Sequence, residues 1–382
     1  MRFVEYKGKK VFARYGLEIP RGIAVSTPEE ARKAAQKLGG EVFVKAQVPI
    51  GGRGKAGGIK YAADPAEAEK RASEILGMDI KGYKVKEVYI EEKIDIAGEI
   101  YLGITLDRSA GMPVVILSAE GGIDIEEVAR TKPEKVVRNH IDPLWGFHSY
   151  QLRQVAYKAG ISEDLIGDIV KMGLKLYEIF IDNDAVLAEI NPAVVTPERK
   201  LVCGDSKLEI DDNALFKHPD LAALNEGIEE NTLEAEARAK GISFVELDGN
   251  IAVIGNGAGL VMGTLDSLSL EGGSAANFLD VGGGALASKV EDALEIALKL
   301  KNVKAVLINI FGGITRCDEV ARGIVAALKR LKPSVPIIVR LAGNNEEEGR
   351  RILRESGLNI HIFESMRTAA INAVRFSREE RI

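Results

Sequence analysis

Up to about residue 225 the apolar positions fall in short strand-type runs set irregularly among helical stretches, whereas from Asn250 onward strand and helix alternate strictly. In the first part VFVKAQV (42–48) and GIKYAA (58–63) read as strands joined by a glycine-rich loop, and EVYIEEKI, EIYLGITLD and PVVILSAE read as three more. Two helices are marked by their starts. Thr27-Pro28-Glu29-Glu30 and Asp64-Pro65-Ala66-Glu67 each supply an N-cap, a proline at the first helical position and a glutamate at the third. Residues 162–181 predict a longer helix capped by Ser162, with Leu165, Ile166, Ile169, Leu176 and Phe180 on one face. A mixed sheet with flanking helices, an α+β arrangement, follows from this order.

From Asn250 the strands IAVIGN, ANFLDV, VKAVLINIF, PIIVRLAG and IHIF are separated by helices, and a final helix follows the last. Five short buried strands with helical crossovers predict a doubly wound parallel α/β sheet. Ligands on such sheets sit at the carboxyl ends of the strands, which here read GNGAG, DVGGGA, FGGITR and LAGNN. The polar, weakly patterned segment 225–241 marks the boundary between two domains, 1–240 and 241–382.

A length of 382 residues agrees with two domains. The net charge of −6 argues against a general polyanion-binding surface and so against nucleic acid as a partner. The opening MRFVEYKGKK has no apolar run, and no stretch is long and apolar enough to span a membrane, so a cytoplasmic location is expected. Cys203 and Cys317 lie far apart and show neither metal nor redox spacing.

Gly52-Arg53-Gly54-Lys55-Ala56-Gly57 spells G-x-G-x-x-G, yet a strand follows it, so a pyrophosphate would meet no helix N-terminus. It is not a P-loop either, because Ala56 stands where a magnesium-binding Ser or Thr is required. The remaining phosphate-binding geometry is a loop between antiparallel strands that folds over a nucleotide, with Lys45 on the incoming strand as a point charge. On the loop alone, a surface hairpin with solvated lysines fits as well.

In AVLAEINPAVVTPERKLVCGDSKLEI, alternation places Leu187, Glu189 and Asn191 on one face of a strand. A turn centred on Glu198 pairs Thr196 with Lys200 and, in the same register, sets Asn191 opposite Asp205. An amide oxygen and a carboxylate, without His or Cys, suit Mg²⁺ held partly by nucleotide phosphates. Taken singly each is an ordinary polar residue on a solvent face; their coincidence in register favours the metal.

GGRGKAGG, the EINP strand, GNGAGL with MGT, ANFLDVGGGA, NIFGGITRCD and RLAGNN, in this order over nearly the whole chain, resemble the β subunit of succinyl-CoA synthetase (succinate–CoA ligase), an ATP-grasp protein. The resemblance implies an N-terminal ATP-grasp domain followed by a doubly wound parallel α/β CoA-ligase domain of the flavodoxin-like kind. Lys45 and Gly52-Arg53-Gly54 match the family's nucleotide-phosphate contacts, and Glu91, Ile94 and Glu99 match the segment lining the base, ribose and phosphate side of the cleft. Asn191 and Asp205 match the two magnesium ligands, and Glu189 a glutamate that orients a phosphohistidine. Asn256, Gly313, Ile314 and Thr315 match substrate-proximal contacts; there FGGITRCDEV runs strand, turn, helix start, so that backbone N–H groups and the helix dipole converge on an anion.

The reaction so implied is succinate + CoA + ATP (or GTP) to succinyl-CoA + ADP (or GDP) + phosphate, a step of the tricarboxylic acid cycle, by way of succinyl phosphate and a phosphorylated histidine. None of His140, His148, His218 and His361 resembles a glycine-bordered active-site histidine. The family places that histidine and the CoA site on a separate α subunit, so a heterodimer or a dimer of heterodimers is implied. Ala342 stands where the family often carries an acid, Ser206 where glycine is frequent and Thr315 in place of an aliphatic residue, which leaves room for a related acid such as malate. Pro20 matches the ATP-using forms. A non-catalytic nucleotide-binding subunit of the same fold is the alternative of a different class.

Overall fold

The computed structural model describes residues 1–224, 233–284 and 286–378. The chain divides into two compact units, Met1–Ile228 and Glu229–Ile382. The division falls inside the acidic segment 225–241, of which 225–232 lie outside the described residues. Among the described residues no helix is long and apolar enough to cross a membrane.

The first unit is built on two antiparallel sheets. In the four-stranded one, Val88–Glu92 lies between Gly22–Val25 and Val42–Ala46, and Ile59–Ala62 forms the far edge. Helices Pro28–Leu38 and Pro65–Ile75 pack on it through Ala31, Ala34, Ala35, Ala68 and Ala72. Both start as their sequences predict: Thr27 and Glu30 close a reciprocal capping box, and Asp64 accepts from the Glu67 amide at 2.8 Å. The six-stranded sheet is built on the long antiparallel pair Gly98–Asp107 and Ala185–Val195. Helix Glu163–Asp182 covers it with all five predicted residues buried. Ser162 precedes that helix but does not cap it with its side chain, because its hydroxyl is held by Asp164 and by Arg199 at 2.9 Å.

In the second unit the parallel strands Asn277–Asp280, Ile251–Gly255, Ala305–Gly312, Ile337–Gly343 and Ile360–Ile362 lie side by side in that order. Numbered along the chain this is 2-1-3-4-5, the flavodoxin-like order. Helices Ala287–Leu298 and Cys317–Leu331 bury one face and helices Ala258–Leu270 and Met366–Arg378 the other. An antiparallel edge strand, Ser243–Glu246, is not foreseen by the alternation, since Phe244 alone of its residues is buried. Between the first two parallel strands, backbone pairing is sparse. There the buried Asn277 side chain accepts from Val253 N at 3.0 Å and donates to Val253 O at 2.9 Å.

The first helix, Glu5–Arg14, is tied to the four-stranded sheet by buried charge. Glu5 Oε1 accepts from Lys9 at 2.8 Å and Lys45 at 2.9 Å, and its Oε2 from Arg53 at 2.8 Å. Glu91 accepts from both lysines, and Asp205 pairs with Arg53 at 2.6 Å. The partner of the long strand leaves the ladder between Leu201–Cys203 and Lys207–Ile210. That break turns the Gly204 carbonyl to the same two ammonium groups, at 2.8 Å from Lys9 and 3.0 Å from Lys45.

Burial alone would push the Glu5 carboxyl up, but Lys45, Lys9 and Arg53 outweigh it and hold it well below the usual carboxylate range. A carboxyl so depressed contributes stability above its unfolded value of about 4.3 and loses it as pH falls through the folded value. Glu5→Gln leaves three buried cations facing two carboxylates. It should cost about 3–5 kcal/mol in urea unfolding at pH 7. The wild type, but not the variant, should also lose this increment progressively below about pH 4. A loss below about 1 kcal/mol would mean that these groups behave as exposed pairs.

Candidate functional site

A cavity of about 430 Å³ opens in the first unit between the four-stranded sheet, the glycine loop and the hairpin strands. Lys45, Gly52, Arg53, Gly54, Glu91, Ile94, Glu99, Glu189, Asn191 and Asp205 all line it. They come from separate stretches of chain, and the fold brings these ten together, whereas Leu187, which alternation places on the strand face of Glu189 and Asn191, is not among the lining residues.

The glycine loop is closed on itself. Ala56, Gly57 and Gly58 donate their amides to the carbonyls of Gly52, Gly54 and Arg53, and Gly52 and Gly57 take positive φ of 80° and 76°. Arg53 is carried inward, with its guanidinium also donating to Ala46 O at 3.2 Å, so it is a buried group and no solvated loop residue. Burial lowers the pKa of Lys45 and Arg53, but the neighbouring carboxylates outweigh it and raise both, so both stay cationic. Val48, Ile50, Ile94 and Ile96 supply an apolar wall beside these charges.

The hairpin keeps the register its turn predicts. Thr196 N donates to Lys200 O at 2.9 Å, Ala193 pairs with Cys203, and Glu189 pairs with Lys207. Gly204 N donates to Pro192 O within the break, which leaves Asn191 and Asp205 in corresponding positions where the ladder opens. Asn191 Oδ1 accepts from Gly122 N at 2.8 Å and its Nδ2 donates to Ile123 O at 3.0 Å. Asp205 Oδ1 accepts from the Ser206 amide while Oδ2 holds Arg53.

Among the described residues no three His, Cys, Asp or Glu side chains are grouped to hold a metal ion. An ion at Asn191 and Asp205 would therefore complete its shell with phosphate oxygens and water, which is the habit of Mg²⁺. The hard oxygen donors fit that ion.

Glu189 faces the cavity and accepts from Tyr101 Oη at 3.1 Å. Burial raises its carboxyl pKa, with Lys207 and the tyrosine hydrogen bond opposing. Burial and the Glu189 charge in turn raise the Tyr101 phenol, so it remains a donor. Tyr101, Glu5, Lys9 and the loop at Gly122–Ile123 touch the candidate residues but are not singled out by the sequence pattern. For Glu5 and Lys9 a signal is present: at i, i+4 and i+7 they share the buried stripe of the first helix with Phe12.

In the second unit Asn256, Gly313, Ile314 and Thr315 gather at the carboxyl ends of the parallel strands. Asn256 follows the first strand and clasps the third, accepting from Phe311 N at 2.9 Å and donating to Phe311 O at 2.9 Å, so it does not cap a helix. Buried Thr315 Oγ1 accepts from Gly284 N at 2.9 Å and Asn256 Nδ2 at 3.2 Å. Asp280 Oδ1 holds the amides of Gly257 and Gly282 at 2.6 and 2.7 Å. Ile314 is 88% exposed at the tip of the turn. The start of helix Cys317–Leu331 carries its own acid: Asp318 is buried between Arg316 and Arg322, and the Cys317 amide donates to Asn344 O.

Among the described residues no histidine lines the first-unit cavity. His140 and His218 pair with Asp107 and Asp184, each at 2.8 Å, and His361 packs on Phe376.

Residues 2–195 match the ATP-grasp domain model and residues 254–374 the CoA-ligase model. The chain is 48% identical over 383 residues to the ADP-forming succinate–CoA ligase subunit beta of Halobacterium salinarum, covering 100% of both. To the protein of the same name from Roseiflexus it is 50% identical over 359 residues, covering 94% of this chain and 95% of that one. ATP citrate lyase from Methanothrix soehngenii, solved with citrate and coenzyme A, shares the fold with a TM-score of 0.71 at 19% identity, covering 98% of this chain and 100% of that one. An ATP-grasp unit ahead of a flavodoxin-like CoA-ligase unit, with full-length identity near one half, places this chain in the family of β subunits of ADP-forming succinate–CoA ligase.

Proposed function

We propose that the chain supplies the magnesium-nucleotide site of succinate–CoA ligase and exchanges phosphate with a histidine of its α subunit. The observation that carries this is the convergence of Lys45, the Gly52–Gly54 segment, Glu189, Asn191 and Asp205 on one cavity. Lys45 and Arg53 bind the phosphates as buried cations, and the apolar wall at Ile94 and Ile96 takes the base. Asn191 and Asp205 would hold Mg²⁺, and its charge would offset the negative charge of the phosphates during transfer.

Glu189 accepts an imidazole N–H of the incoming histidine and so orients the ring, with Tyr101 fixing the carboxylate. The phosphoryl group leaves ATP as ADP departs, passes to the histidine nitrogen and then to a succinate carboxylate. CoA thiolate displaces phosphate from the resulting acyl phosphate. Asn256 and the Gly313–Thr315 turn contact the acid in the second unit, where the turn presents Ile314 to the ligand. The histidine and the CoA site belong to the α subunit.

The test mixes the chain with an α subunit, Mg²⁺ and labelled ATP or GTP, and follows protein phosphorylation and acyl-CoA formation. Label should appear on the α-subunit histidine only in the mixture, with ATP favoured, and should be discharged by succinate with CoA. Discharge by malate instead would change only the acid, and nucleotide binding without transfer would overturn the catalytic reading.

Glu189→Gln keeps the shape but weakens the acceptor. It should slow labelling by about a hundredfold while nucleotide affinity stays within about twofold of wild type. An equal fall in affinity would make Glu189 a nucleotide-binding residue instead.

A further inference from the structure

The charges beneath the glycine loop are closed on themselves: Lys9, Lys45 and Arg53 face Glu5, Glu91 and Asp205. Resting on the reading of this cavity as a magnesium-nucleotide site, we infer that the Arg53–Asp205 pair is an exchangeable latch that makes phosphate and metal bind together. Of the three acids Asp205 alone has a well exposed side chain, 32% against 0% for Glu5 and 4% for Glu91. It is also the expected metal ligand, and both of its oxygens are already engaged, one by the Ser206 amide and one by Arg53.

A polyphosphate arriving alone meets cations that are already paired, with Asp205 repelling it. A dication arriving alone meets the Arg53 guanidinium on its own ligand. When both arrive, the metal replaces Arg53 at Asp205 and the released N–H groups turn to a phosphate oxygen. The guanidinium is buried, so a released N–H without a new partner carries a penalty that the phosphate removes. Glu5 retains the other side of the guanidinium at 2.8 Å and acts as the pivot. By linkage, each ligand then raises the affinity of the other by the same factor.

Calorimetric titration of the intact chain with ADP, once in EDTA and once in excess Mg²⁺, tests this. Asp205→Asn, which releases Arg53, should bind ADP in EDTA about tenfold more tightly than wild type and should lose a matching part of the Mg²⁺ enhancement. Asp205→Ala should show the same gain, which guards against an effect peculiar to the new amide. In an Arg53→Met background Asp205→Asn should bring no gain. Unchanged or weaker metal-free binding in both Asp205 variants overturns the latch, and so does a gain of equal size without Arg53, which would be plain charge repulsion. Wild-type chain that binds no ADP even with Mg²⁺ overturns the underlying site reading, a result distinct from either.

Discussion

A buried charge must find its opposite, and in the first unit five buried charges and the partly exposed Asp205 find one another. Glu5 and Lys9 come from the first helix, Lys45 from a strand, Arg53 from the glycine loop, Glu91 from a second strand and Asp205 from the break in a third. Removing any one strands its neighbours in a low-dielectric setting, so these segments are mutually positioned. The loop would otherwise be an excursion held by three internal amides. Arg53 gives it a fixed root among the buried charges. Lys45 and Arg53, which we propose bind the nucleotide phosphates, are thus also groups that hold the unit together.

Much of this is legible in the sequence where the determinant is local. The capping residues at Thr27 and Asp64 fix two helix starts within four residues of chain. The hairpin register follows from one turn, and it survives the break at residues 204–206 because the two strands leave and rejoin the ladder in step, as the pairs Ala193 with Cys203 and Glu189 with Lys207 show. Asn191 and Asp205 can therefore be matched by counting outward from the turn alone. Glu5 and Lys9 leave only the trace of a stripe shared with Phe12, which is weak because a charged residue on a helix is normally solvated. What buries them is the opposing charge on strands 40 and 82 positions away, which no local pattern records. Ser162 shows the converse: the cap residue type is present, but a distant Arg199 competes for its hydroxyl.

The second unit is legible in its alternation, and its strand order puts Asn256 at the point where the chain winds in opposite directions from neighbouring strands. The two strand ends diverge there, and the asparagine amide spans them as a third piece of backbone would. Thr315 extends the same stitching to the loop at Gly284. The turn is thus rigid at its base and apolar at its tip, where Ile314 stands out.

Asn277 carries this substitution of side chain for main chain furthest. The hydrogen bonds of a sheet are ordinarily indifferent to which residues occupy it, since every residue but proline brings the same N–H and C=O. Between the first two parallel strands two of those bonds are made by one carboxamide on Val253. At this seam the pairing of strands has become a heritable property of a single side chain, open to selection and to loss in a way that the rest of the ladder is not.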